Sequence, residues 1–110
     1  MLFMFRARLE KQADVSNQAF YGLWQKESEA AVSLLQSGVI KWAYKVAGTP
    51  EIVAVVDVDS HDALDHLVHA LPIYVLGQSH IVKDLTWTPL REYANWYEDL
   101  RQLAVTPVPA

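Results

Sequence analysis

The order of elements read along the chain is β-α-β-β-α-β with one further helix, and it predicts an α+β domain whose antiparallel sheet carries two helices on one face. Three observations predict it. Four segments of strand length are alternating or continuously apolar, two segments with helical stripes open on serine caps, and 110 residues, 52% of them apolar, suit one core.

From Leu2 to Leu9 the residues alternate, with Phe3, Phe5, Ala7 and Leu9 on one side and Met4, Arg6 and Arg8 on the other, the period of a strand with one face on the core. Ser16 then caps a helix expected to run to Ser37, and Gly38 suits the left-handed position that ends it. Its stripe is Phe20, Leu23, Trp24, Ala31, Leu34 and Leu35. Ile40, Trp42, Tyr44 and Val46 alternate with Lys41, Ala43 and Lys45 as a second strand.

Gly48-Thr49-Pro50-Glu51 turns the chain, and Ile52 to Val58, almost wholly apolar and β-branched, reads as a central strand paired with the second. Ser60 caps a second helix from His61 to about Ala70, with Leu64, Leu67, Val68 and Leu71 inward, and Pro72 stops it or begins a new turn. A fourth strand is expected over His80 to Trp87, with Ile81, Lys83, Leu85 and Trp87 opposite His80, Val82, Asp84 and Thr86. Thr88-Pro89 reads as the start of a last helix, over about 89–103, whose stripe is Tyr93, Trp96, Tyr97, Leu100 and Leu103. This order is the split βαβ arrangement of ferredoxin-like domains. One domain is expected over 1–104, and 105–110, with two prolines and no periodicity, as a flexible tail. The free sheet face needs a cover, which self-association or the last helix could supply.

Composition narrows the function. The net charge of -4 comes from interspersed acids and bases, with no basic run to track a phosphate backbone, so nucleic acid is not an expected partner. The absence of cysteine removes disulfides, thiolate metal sites and thiol nucleophiles. No apolar run reaches the roughly eighteen residues of a membrane span, and the short apolar stretch in MLFMFRARLEK precedes its charges, unlike a signal peptide. A cytoplasmic protein without membrane contact is expected. His61, Asp62, Asp65, His66 and His69 offer metal-like spacings, yet most fall away from the inner stripe of their helix and read as a solvated face. No metal site is expected.

One residue breaks the pattern. At 100° per residue Glu27 falls within the apolar stripe of the first helix, between Leu23, Trp24, Ala31 and Leu34. A carboxylate placed there loses hydration, which raises its pKa toward the range of a general base. The alternative is that Glu27 reaches the rim of the stripe or pairs with Arg6, Lys41 or Lys45.

The opening Met1-Leu2-Phe3 with Arg6, the helix with Glu27 followed by Leu35 and Gly38, Lys45-Val46-Ala47-Gly48, Asp57-Val58, Ala63-Leu64 and Leu71-Pro72 together resemble the muconolactone isomerase family in order and spacing. The resemblance runs up to the segment that opens at Pro89. It implies a dimeric α+β barrel type of ferredoxin-like fold, a homo-oligomer built from dimers with the decamer as a candidate ring, and a role in the breakdown of aromatic compounds. It also implies a cofactor-free isomerase that moves the ring double bond of a butenolide, with Glu27 as proton acceptor. Such a reaction removes a carbon-bound proton, stabilises a dienolate and returns the proton elsewhere, and the substrate, a lactone or related cyclic acid, needs a cation to orient its carboxylate. Arg6, Arg8, Lys41 and Lys45 are the candidate cations, and Trp24 and Tyr44 are candidate aromatic contacts to the substrate. The family carries a tyrosine and an asparagine just after the Ala-Gly that ends its second strand, where this chain has Pro50 and Ile52. Two alternatives stand beside the isomerase: a cofactor-independent oxygenase or cyclase of phenolic polycycles, and a non-catalytic binding protein of the same fold.

Overall fold

The computed structural model describes residues 1–105. Its elements are β1 (Leu2–Leu9), α1 (Asn17–Ser37), β2 (Ile40–Lys45), β3 (Glu51–Asp57), α2 (His61–His69), α3 (Pro72–Val75), a 3₁₀ turn (Ser79–Ile81), β4 (Val82–Leu90) and α4 (Tyr93–Val105). The strands lie in the order β2-β3-β1-β4 with every neighbouring pair antiparallel, which is the ferredoxin-like topology. Both long helices on the core side start where the serines place them. The Ser16 hydroxyl accepts from the Ala19 N–H at 3.1 Å and that of Ser60 from the Ala63 N–H at 3.0 Å, each satisfying a donor that the first helical turn leaves open. Gly38 closes α1 at φ 84°, a left-handed conformation that costs glycine nothing sterically.

The core is divided in two. Phe3, Ile40, Ala54, Val56 and Val58 form one buried cluster, covered by Ala31 and Leu34 of α1 and by Ala63, Leu64 and Leu67 of α2. Leu9, Phe20, Ile73 and Ile81 form the other, with Leu23, Trp24 and Tyr74 against it. Glu27 interrupts α1 between the two sets, one turn after Leu23 and Trp24 and one turn before Ala31.

Two expectations for the fourth strand are corrected. Asp84 adopts φ 54°, and the pairing of β1 with β4 slips between Arg6 opposite Thr86 and Arg8 opposite Lys83. This bulge breaks strict alternation, so that Val82 and Leu85, read as opposite faces, line the same cavity. The last helix does not begin at Pro89. Thr88 and Pro89 continue β4, opposite Met4 and Phe3, and α4 starts at Tyr93. The strand tolerates the proline because β4 is an edge strand with one side free of ladder partners. No residue of α4 is buried, and Tyr93, Tyr97 and Leu103 are 77%, 56% and 59% exposed. Val105 ends this helix; the rest of the expected tail lies outside the described residues.

Candidate active site

Glu27 is half-buried where two cavities meet, an inner pocket of about 80 Å³ and an outer groove of about 300 Å³. Phe5, Glu27 and Ile52 belong to both. The inner pocket lies in the seam between the two core clusters, with Ala7 and Leu9 on the β1 side, Leu85 and Trp87 on β4, and Val68, Leu71 and Tyr74 on the helical side.

The carboxylate is held from across the fold. The Ile73 N–H donates to Glu27 Oε2 at 2.8 Å. Leu71, the N-cap of α3, makes no side-chain capping bond, and Pro72 follows it, so Glu27 supplies the acceptor that this short helix lacks locally. Burial pushes the Glu27 carboxyl above its ordinary range, and the Ile73 N–H, which favours the charged form, opposes that shift with a smaller effect. The neighbouring Tyr74 phenol is also pushed up, first by burial and then by the charge of Glu27. The result is a carboxyl group whose pKa is raised inside an apolar site.

The other candidates divide into two groups. Trp24, Tyr44 and Lys45 border the outer groove with Glu27. Among the described residues Lys45 Nζ donates only to the adjacent Val46 carbonyl, at 3.4 Å. Arg6, Arg8 and Lys41 line neither of these two cavities and pair elsewhere: Arg6 hydrogen-bonds Glu51 across β1 and β3, Arg8 reaches Asp84 at 3.2 Å, and Lys41 lies 3.9 Å from Asp57. The Arg6 bond holds the Glu51 carboxyl below its usual range and raises the guanidinium. The alternative in which Glu27 pairs with Arg6, Lys41 or Lys45 does not hold, since its polar partner is the Ile73 amide.

Of the two positions where this chain departs from the family pattern, Ile52 faces both cavities and contributes no donor there. On α2, His61, Asp62, Asp65, His66 and His69 are exposed, and no set of three or more such groups among the described residues could hold a metal ion. Leu71, Tyr74, Val82 and Leu85 were not singled out as site residues by their spacing. The proline after Leu71 was the one signal of a new turn that would carry Tyr74 inward.

A ferredoxin-like sheet with a half-buried acid over an apolar pocket fits the class to which the family comparison assigns the chain, a small-molecule enzyme of the isomerase or lyase type. The chain belongs to the muconolactone delta-isomerase family, whose model matches residues 1–95. Among solved structures it is similar to a crystal structure of muconolactone isomerase, at 24% identity and a TM-score of 0.69, over 84% of this chain and 90% of that one. It is also similar to 5-chloro-2-hydroxyhydroquinone dehydrochlorinase from Burkholderia phenoliruptrix in complex with 2,5-dihydroxybenzoquinone, at 13% identity and a TM-score of 0.61, over 84% of this chain and 95% of that one. At these identities the two structures bear on the fold alone. No curated protein matches significantly. Among the described residues no helix is long and apolar enough to cross a membrane.

Proposed function

We propose that this chain is a cofactor-free isomerase that moves the ring double bond of a muconolactone-like butenolide, in the cytoplasmic breakdown of aromatic compounds. Glu27 removes the proton from the ring carbon γ to the carbonyl; the C–H electron pair becomes a new double bond, the ring π pair shifts one bond toward the carbonyl carbon, and the carbonyl π pair moves to oxygen. The protonated Glu27 then returns the proton at another position of the conjugated dienolate, so the carboxylate is regenerated and nothing is oxidised or reduced. The observation that carries this reading is a carboxylate, raised by burial, at the junction of an apolar pocket and a groove. The ring fits the inner pocket, and the acid arm of the substrate points outward to Lys45, the cation that shares a cavity with Glu27 among the described residues.

Assembly from dimers, with the decamer as the expected ring, is part of the same reading. It is supported by the apolar stripe that α4 leaves uncovered.

The test is Glu27→Gln, which keeps an oxygen acceptor for the Ile73 N–H and removes the base. Turnover of muconolactone, followed by absorbance and by solvent deuterium incorporation, is expected to fall about 10²- to 10⁴-fold with the fold retained. Full activity in that variant overturns the proposal. The Ile73 bond also favours a purely structural role for Glu27 as the cap of α3; in that case Glu27→Gln changes nothing.

A further inference from the structure

We propose that the Tyr74 hydroxyl is the hydrogen-bond donor that holds the ring carbonyl oxygen of the substrate while Glu27 moves the proton. The inference rests on the proton-transfer role of Glu27 and adds to it the group that stabilises the intermediate.

Four observations carry it. Of the residues lining the inner pocket, only Glu27, Tyr74 and Trp87 bear a polar side-chain atom. Tyr74 follows Ile73, whose N–H donates to the Glu27 carboxylate, so one short helix both carries the phenol and holds the acid that α1 presents. The ring of Tyr74 is fixed in place by packing against the Leu9, Phe20, Ile73 and Ile81 cluster and by an edge-on contact with His69 at 5.9 Å. Its hydroxyl meets no hydrogen-bonding partner among the described residues, nor is it sealed away as a buried unsatisfied group. A donor that is fixed, reachable and unoccupied beside a base is what an enolate-forming site requires, because such a group needs no reorganisation when charge develops.

The chemistry follows from the environment. Burial and the Glu27 charge both keep the phenol protonated, so Tyr74 donates a hydrogen bond and keeps its own proton throughout. The proton that moves is the one Glu27 takes from carbon and gives back. Opposite the polar pair, Phe5, Leu85 and Trp87 present apolar surface, and a charged ring substituent there would be desolvated without a counter-ion. Any acidic group of the substrate therefore sits across Glu27, on the Lys45 side.

The experiment combines Tyr74→Phe, which preserves the ring and its packing, with Glu27→Gln, whose amide stands in for the protonated acid. Naphthols of graded acidity serve as enolate mimics, with affinity and the absorption of the bound naphtholate as readouts. In the Glu27→Gln background, Tyr74→Phe is expected to weaken the most acidic naphthol about tenfold or more and to remove the spectral shift, while the melting temperature stays constant. With wild-type Glu27, the same change is expected to lower kcat for muconolactone about 10²-fold with little effect on KM. Equal naphthol binding with and without the hydroxyl overturns the donor assignment even if Glu27 proves to be the base. Full turnover by Glu27→Gln, with naphthol binding still dependent on Tyr74, overturns the base instead.

Discussion

The Ile73 amide donates to the Glu27 carboxylate at 2.8 Å across the seam between α1 and α3, and this bond joins two residues 46 positions apart in the chain. It makes one acid both the cap of a helix and a polar feature of a greasy pocket. Whatever protonates Glu27 therefore acts on packing and on reactivity together.

The first expectation is a pH dependence. Because burial raises the native pKa of Glu27, the folded chain holds that proton more tightly than the unfolded chain does. The contribution of Glu27 to stability is fully present below the ordinary carboxylate range and is lost as pH rises through the raised native value. Urea unfolding of the wild type should weaken relative to Glu27→Gln across that window and run parallel above it. Over the same window kcat/KM should climb, since only the ionised form is a base.

Lys45 and Lys41 should separate in kinetics. Lys45→Met is expected to raise KM for muconolactone about tenfold with kcat nearly unchanged, the result of removing binding that is equal in ground and transition states. Lys41→Met, whose amine is directed to Asp57, should leave both constants within about a factor of two. Steady-state kinetics at constant ionic strength decides this, and equal effects of the two changes would count against an orienting role for Lys45.

Asp84 holds the bulge of β4 at φ 54°. A β-branched residue there clashes with its own backbone, so Asp84→Val should lower unfolding free energy by about 1–2 kcal/mol. Asp84→Gly, free of that clash, should do no such harm, although it releases Arg8. Denaturant melts of both variants are the check. Because Val82 and Leu85 share the inner pocket on account of this bulge, Asp84→Val should also depress turnover.

Removal of α4 tests its role. A chain ending at Arg91 loses no buried residue, so its far-ultraviolet dichroism should still show the sheet and the two long helices. Its mass by light scattering should fall relative to the full chain, because the stripe of Trp96, Leu100 and Leu103 is what a neighbouring subunit would cover. An unchanged mass would place the subunit contact elsewhere.

Much of this architecture could be read from the residues. β1, α1, β2, β3 and α2 carry caps, periods of the right kind and a clear turn, each agreeing with the tertiary arrangement. Glu27 stood out because a charge inside a helical stripe conflicts with burial, and the fold resolves the conflict with a cavity and a distant amide. β4 was misread in phase because one residue in a left-handed conformation shifts every later side chain to the other face, and Asp is a residue that accepts it without a glycine to announce it. Pro89 misled because its preference for a helix start is outweighed here by a place on an outer strand. Tyr74 was out of reach of any period: α3 is four residues long, too short to show a stripe.

The two separate apolar clusters have a consequence for how such a domain diversifies. α1 roofs both clusters, with α2 over one and α3 against the other, while the space between them has the small Ala7 and the branched Ile52 among the residues of its sheet side. A methyl group more or less at either position would retailor the guest without disturbing the masonry on either flank. The specificity of this scaffold can therefore drift in small steps while its frame stays put.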